Sequence, residues 1–211
     1  MNMQTAVQIS EEIVSQLESG DVENAFNRLA PVLAERTPFR FLDRMGTTIG
    51  ASGLDTTEDF LERVAAENTE GGWPVIGSVL RSQMDSDLAG AFSRAQHYII
   101  AANVWYGADI LGERVPGPGL ATHFEDALPL LAGWRNHSNH WVRRAVGVAV
   151  HFWAKRAKGN PALDDQALAL LDLLEPMFTE WELDTVKGVG WGLKTMGRYY
   201  PDLMVTWLPR Q

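Results

Sequence analysis

Asn139-His-Trp141-Val142-Arg143-Arg144-Ala145-Val146-Gly147 is the stretch on which the fold turns. Asn103-Val-Trp105-Tyr106 resembles its opening at an offset of 36 residues, and Val186-Lys-Gly-Val-Gly-Trp191 resembles Val142–Gly147 at an offset of 44. Helix pairs that recur every ~35–45 residues are the mark of HEAT-like solenoids, in which each pair buries its apolar face on the next. The echoes alone leave two architectures open, a curved solenoid and an irregular helical bundle.

The segments around these echoes read as helix. Trp141 to Trp153 is apolar on almost every side apart from Arg143, Arg144 and His151, which predicts a mostly buried helix. Leu170, Leu171, Leu174, Met177 and Phe178 recur at helical spacing between Asp165 and Phe178, and Pro176 bends or closes that stretch. The helix containing Val186 should end at Tyr200, because Pro201 suits the first turn of a new one. Thr122-His-Phe-Glu125 has capping-box spacing and predicts a helix start there. Pro116-Gly117-Pro118-Gly119 reads as a loop and Gly71-Gly72 as a break. No stretch alternates as a strand does, so the class is all-α.

Composition narrows the function. The 211 residues are 45% hydrophobic and 21% charged, which excludes a disordered chain. With no cysteine there is no disulfide, zinc–thiolate site or thiol nucleophile. The first twenty residues lack the basic lead and apolar run of a signal peptide. No apolar run approaches the roughly 20 residues that a membrane helix needs. A soluble, cytoplasmic protein with no membrane partner is the expectation. Net charge is −9, yet it is unevenly spread: residues 1–130 carry −11 and residues 131–211 carry +2. All four lysines lie in the second part, so that end is the better suited to an anionic partner.

Common catalytic signatures are missing: no P-loop, no H-E-x-x-H, no G-x-S-x-G and no dinucleotide fingerprint. Gly188-Val-Gly190-Trp-Gly192 follows no strand, so close packing of one helix on its neighbour explains it better than phosphate binding. His137, His140 and His151 lack a carboxylate partner at ligand spacing, and no metal site is expected. Tryptophan is the anomaly, with eight in the chain. Trp134, Trp141, Trp153 and Trp207 sit in apolar stretches and read as core. Trp105 and Asp109 stand at i and i+4 and share a helical face, and a carboxylate beside an indole is odd for a core. Trp191 lies between glycines on a helix that also carries Lys187 and Lys194.

Three blocks together resemble the AlkD-type alkylpurine DNA glycosylases of the DNA alkylation repair family. Asn103–Gly112 is similar to the family's W-x-x-x-D helix, Asn139–Ala145 to its N-x-W-x-x-R helix, and Asp184–Leu193 with Tyr200-Pro201 to its V-[RK]-K-x-[IV]-G-W-x-L…P segment. Tyr106 and Gly188 depart from that pattern. The resemblance implies a single domain over residues 1–211, a curved solenoid of HEAT-like antiparallel helix pairs. Residues 1–70 would be divergent N-terminal helices and residues 73–211 the family-like repeats. It implies a monomer, without cofactor, that acts on alkylated double-stranded DNA and associates with the nucleoid when bound. Carried over by position, Asp109 matches the catalytic carboxylate, and Trp105 and Trp191 match the indoles that pack on the damaged nucleotide. Arg144, with Arg143 beside it, matches the phosphate-holding arginine, and Lys187 and Lys194 would add to DNA binding. The alternative is a catalytically inactive scaffold of the same shape that binds protein or nucleic acid.

Overall fold

A computed structural model describes residues 1–210, and among them the secondary structure is helical throughout with no strand. The chain forms two compact units, residues 1–102 and 103–211. The first holds α1 (Met3–Glu18), α2 (Val22–Ala34), α3 (Phe39–Ala51), α4 (Thr56–Ala66), α5 (Gly72–Ser82) and α6 (Leu88–Ala102). Its core is built from residues such as Ile13, Leu42, Met45, Phe60 and Trp73, all buried. Gly46 and Gly50 of α3 lie directly against α5: a Cβ on Gly50 would meet the Val79 carbonyl oxygen at 2.7 Å.

The second unit holds α7 (Trp105–Arg114), α8 (Pro116–Thr122), α9 (Phe124–Trp134), α10 (His140–Ala157), α11 (Asp164–Leu174), α12 (Leu183–Tyr199) and α13 (Pro201–Trp207). Its centre is α10, buried along most of its length and packed against α7, α8 and α12. Asn139 starts it, its side chain accepting from the backbone N–H of Trp141 at 2.8 Å and of Val142 at 3.4 Å. Lys155 and Arg156 close it, where cations suit the helix dipole.

The two sequence echoes are the registers of this packing. Gly112 of α7 faces Val148 of α10, 36 residues on, while Gly188 of α12 faces Arg144 of α10, 44 residues earlier. Residue numbers rise together along both contacts, so α7, α10 and α12 lie side by side and run the same way. The glycines are what let α10 and α12 meet. A Cβ on Gly188 would stand 2.5 Å from the Arg144 carbonyl oxygen, one on Gly192 2.8 Å from that of Gly147, and one on Gly147 would collide with the Gly188 carbonyl. Helix-on-helix packing, the sequence expectation for this glycine run, is what the structure has.

Two local expectations are overturned. Pro116-Gly117-Pro118-Gly119 is not a loop but the body of α8, with Pro116 at the first helical position. Proline there gives up no bonded N–H, and Gly117 is needed small because a Cβ would sit 2.7 Å from that of Phe152. A helix does start within Thr122–Glu125, at Phe124, but the capping box expected to start it does not form. The Thr122 hydroxyl donates back to the Pro118 carbonyl at 3.0 Å inside α8, and α9 begins after His123 with no side-chain cap. The other boundaries fall as read: α11 ends at Leu174 before Pro176, α12 at Tyr199 and α13 starts on Pro201. Trp134, Trp141, Trp153 and Trp207 are all buried.

Candidate active site

The three parallel helices bring the candidate residues into one unit. Trp105 opens α7 and is 55% exposed, which is unusual for the largest apolar side chain. One turn on along the same face, Asp109 meets Arg144 from α10. The Arg144 Nε donates to Asp109 Oδ1 at 2.7 Å and its Nη2 to Oδ2 at 2.8 Å, a two-pronged pair. Arg144 Nη1 also donates to the Asp184 carbonyl at 3.1 Å, so the same guanidinium ties α12 to α7. Both side chains are largely buried, with 14% of Asp109 and 9% of Arg144 exposed. The carboxylate that looks odd beside an indole therefore has its partner 35 residues on, within one residue of the register of α7 on α10.

Asn103 and Asn139 stand at equivalent places in the repeated motif yet do different work. Asn139 caps α10, whereas Asn103 takes a left-handed φ of 48° and accepts from the buried Trp141 indole N–H at 3.1 Å. Trp141 is thereby locked in the core while Trp105, its counterpart in the echo, is left facing outward.

Arg143 points away from this pair. Its Nε donates to Glu180 at 2.6 Å and its Nη1 to the carbonyls of His137 and Ser138, so it clasps the turns before α10 and α12. Burial pushes the Glu180 carboxyl up, but the Arg143 hydrogen bond and the N–H groups of Glu182 and Trp181 outweigh it and hold the group below the usual carboxylate range. Lys187 is exposed and reaches Asp184 at 3.4 Å; Lys194 is exposed about two turns further along the same face of α12.

Trp191 is half-buried, and its partner was not foreseen. His151 of α10 stacks on the indole with ring centroids 3.9 Å apart and planes 26° from parallel. The three histidines that the sequence groups, His137, His140 and His151, have separate surroundings. His137 accepts from the Asn139 backbone N–H at 3.0 Å, and His140 packs on Trp141. His151 and Thr195 lie 44 residues apart, the register of α10 on α12, and that spacing is the signal that pairs them. Glu113 was missed as well, although Trp105, Asp109 and Glu113 follow one another at i, i+4 and i+8 on α7. Its Oε1 lies 3.8 Å from the His151 Nε2, and burial is the main reason its carboxyl is raised above the usual range.

Burial, helped by the nearby Lys155 charge, lowers the His151 pKa from its usual 6.5 to about 4. Between these values the unfolded chain takes up a proton that the folded chain refuses, so folding stability falls as pH drops through that window. His151→Phe is expected to flatten this part of the plot of unfolding free energy against pH. An unchanged slope in urea titrations from pH 7 to 4 would contradict it.

A model of the family described as DNA alkylation repair enzyme matches residues 74–211. The chain belongs to that family. The match takes in every candidate site residue and all of α7 to α13, and it gives the chain a role in DNA repair with DNA as its partner. Comparisons with curated proteins and with solved structures found no match. Among the described residues, no helix is long and apolar enough to cross a membrane.

Proposed function

We propose that the chain is a DNA glycosylase that hydrolyses the N-glycosidic bond of cationic N3- and N7-alkylated purines in duplex DNA. The observation that carries this reading is the exposed Trp105 indole one helical turn from Asp109, whose carboxylate is oriented by two hydrogen bonds from Arg144. An alkylated purine already bears positive charge, so it departs with the C1′–N bonding pair and needs no general acid. The sugar is left as an oxocarbenium cation, which indole faces stabilise through their quadrupole. Asp109 opposes the same charge and orients the water that attacks C1′, whose proton passes on to solvent. This is glycoside hydrolysis without its acid partner.

Arg144 has five N–H groups, of which three are committed to Asp109 and Asp184. The other two suit a backbone phosphate, so the arginine would orient the carboxylate and hold the strand at once. Lys187 and Lys194 would add charge around it, while Arg143, clasped to Glu180, would hold the neighbouring turns in place. In this reading the helices of residues 103–211 are HEAT-like repeats of the family, and α7, α10 and α12 line the face turned to DNA.

The two-pronged pairing of Asp109 also favours a second reading, a catalytically silent scaffold in which that ion pair is purely structural. One experiment separates them: release of 7-methylguanine and 3-methyladenine from alkylated duplex DNA under single-turnover conditions. Asp109→Asn, which keeps an acceptor for Arg144, is expected to slow release by about 100-fold. Trp105→Ala is expected to slow it with the fold intact. No release by the wild type at high enzyme concentration would leave the scaffold.

A further inference from the structure

Trp191 has two faces, and the structure fills one of them from inside the protein. His151 lies against that face at 3.9 Å between centroids, and its own position is fixed by a chain of hydrogen bonds. The Thr195 hydroxyl donates to the Trp191 carbonyl at 2.9 Å, so its single proton is used. It can therefore only accept from His151 Nδ1, 2.7 Å away, which places the imidazole proton on Nδ1 and leaves a lone pair on Nε2. Nε2 is buried without a hydrogen-bond partner, and 3.8 Å to Glu113 is too long for one. A buried ring nitrogen left unsatisfied is a cost that ordinary core packing, such as a phenylalanine here, would avoid.

We propose that His151 is a positioning residue that sets the plane of the Trp191 indole and presents its free face to the damaged nucleotide, with Thr195 as its latch. This rests on the glycosylase reading of Trp191. The charge state of the seat matters to it. A protonated imidazole beneath the indole would place a cation on the face opposite the oxocarbenium ion and oppose it through the ring, whereas burial and Lys155 keep this imidazole neutral at ordinary pH. His151 itself touches neither the sugar nor the base; it acts through Trp191.

The test uses the full chain labelled with 5-fluorotryptophan, the Trp191 resonance being assigned by its loss in Trp191→Phe. His151→Ala and Thr195→Val are expected to shift and broaden that resonance, as is His151→Phe, which keeps a ring in the seat but loses the latch, while Thr195→Ser, which keeps the hydroxyl, retains a single sharp line. In parallel, His151→Ala should lower single-turnover base release by about tenfold with duplex affinity little changed, and Thr195→Ser should release at the wild-type rate. A Trp191 line unmoved in His151→Ala and Thr195→Val overturns the seat. A line that moves while release is unaffected overturns the positioning role. A wild type that releases no base overturns the glycosylase reading alone, because the fluorine spectra still decide whether His151 seats the indole. His151→Phe guards against a variant that fails to fold.

Discussion

Asp109→Ala is expected to lower the stability of the folded chain by about 3–5 kcal/mol, far more than the loss of an exposed ion pair would. Arg144 is 8% exposed, and its guanidinium spends two of its donors on the Asp109 carboxylate. Removing that carboxylate leaves a buried cation facing nothing of opposite charge. The double variant Asp109→Ala/Arg144→Met should recover a large part of the loss, since it removes the cation and keeps an apolar stem in its place. Urea unfolding of the two single variants and the double variant closes the cycle. A loss below 1 kcal/mol for Asp109→Ala, or single effects that simply add, would show that the pair is neither as dry nor as coupled as its geometry indicates. The base-release experiment uses Asn rather than Ala because a variant that unfolds says nothing about chemistry.

Gly147→Ala is expected to cost about 3 kcal/mol, although alanine is the better helix former. The added methyl would run into the Gly188 carbonyl of α12, which is backbone and cannot swing aside as a side chain would. To admit it, α10 and α12 would have to separate, breaking the Arg144–Asp184 and His151–Thr195 bonds that cross the same seam. Gly190 is the control, because nothing lies within 4 Å of a Cβ built there. Gly190→Ala should stabilise by about 0.5–1 kcal/mol through helix propensity and a less free unfolded chain. Thermal and urea unfolding of both variants read the contrast, and equal effects from the two substitutions would refute the seam.

How much of this was legible beforehand follows from where each signal resides. The offsets of 36 and 44 are visible as echoes of Asn-x-Trp and of a valine followed by a basic residue, and they coincide with the registers at which α7 meets α10 and α10 meets α12. Helix ends at Leu174, Tyr199 and Pro201 were legible because proline acts locally. The loop expected at Pro116–Gly119 failed because its residues are read as turn formers in isolation, whereas the Phe152 side chain needs a glycine opposite it whatever the backbone does. The Thr122 hydroxyl can accept from the Glu125 backbone N–H as a cap or donate to the Pro118 carbonyl behind it, and spacing alone does not choose between the two. At the candidate site, Trp105, Asp109, Arg144 and Trp191 were found through a family resemblance carried by short motifs. His151, Thr195 and Glu113 lie in no motif; they come together only when α7, α10 and α12 are laid side by side.

The seam between α10 and α12 has a consequence for how this chain can change over time. Arg144, Gly147, Gly188 and Gly192 meet through main-chain atoms, so no single one of the three glycines can enlarge without the opposing helix giving way. Exchanges there are tolerated only in concert, and a residue neutral in one sequence background should be lethal to folding in another. The spacing between the arginine that grips Asp109 and the tryptophan seated on His151 is thus shielded from drift, while the surfaces around it remain open to variation.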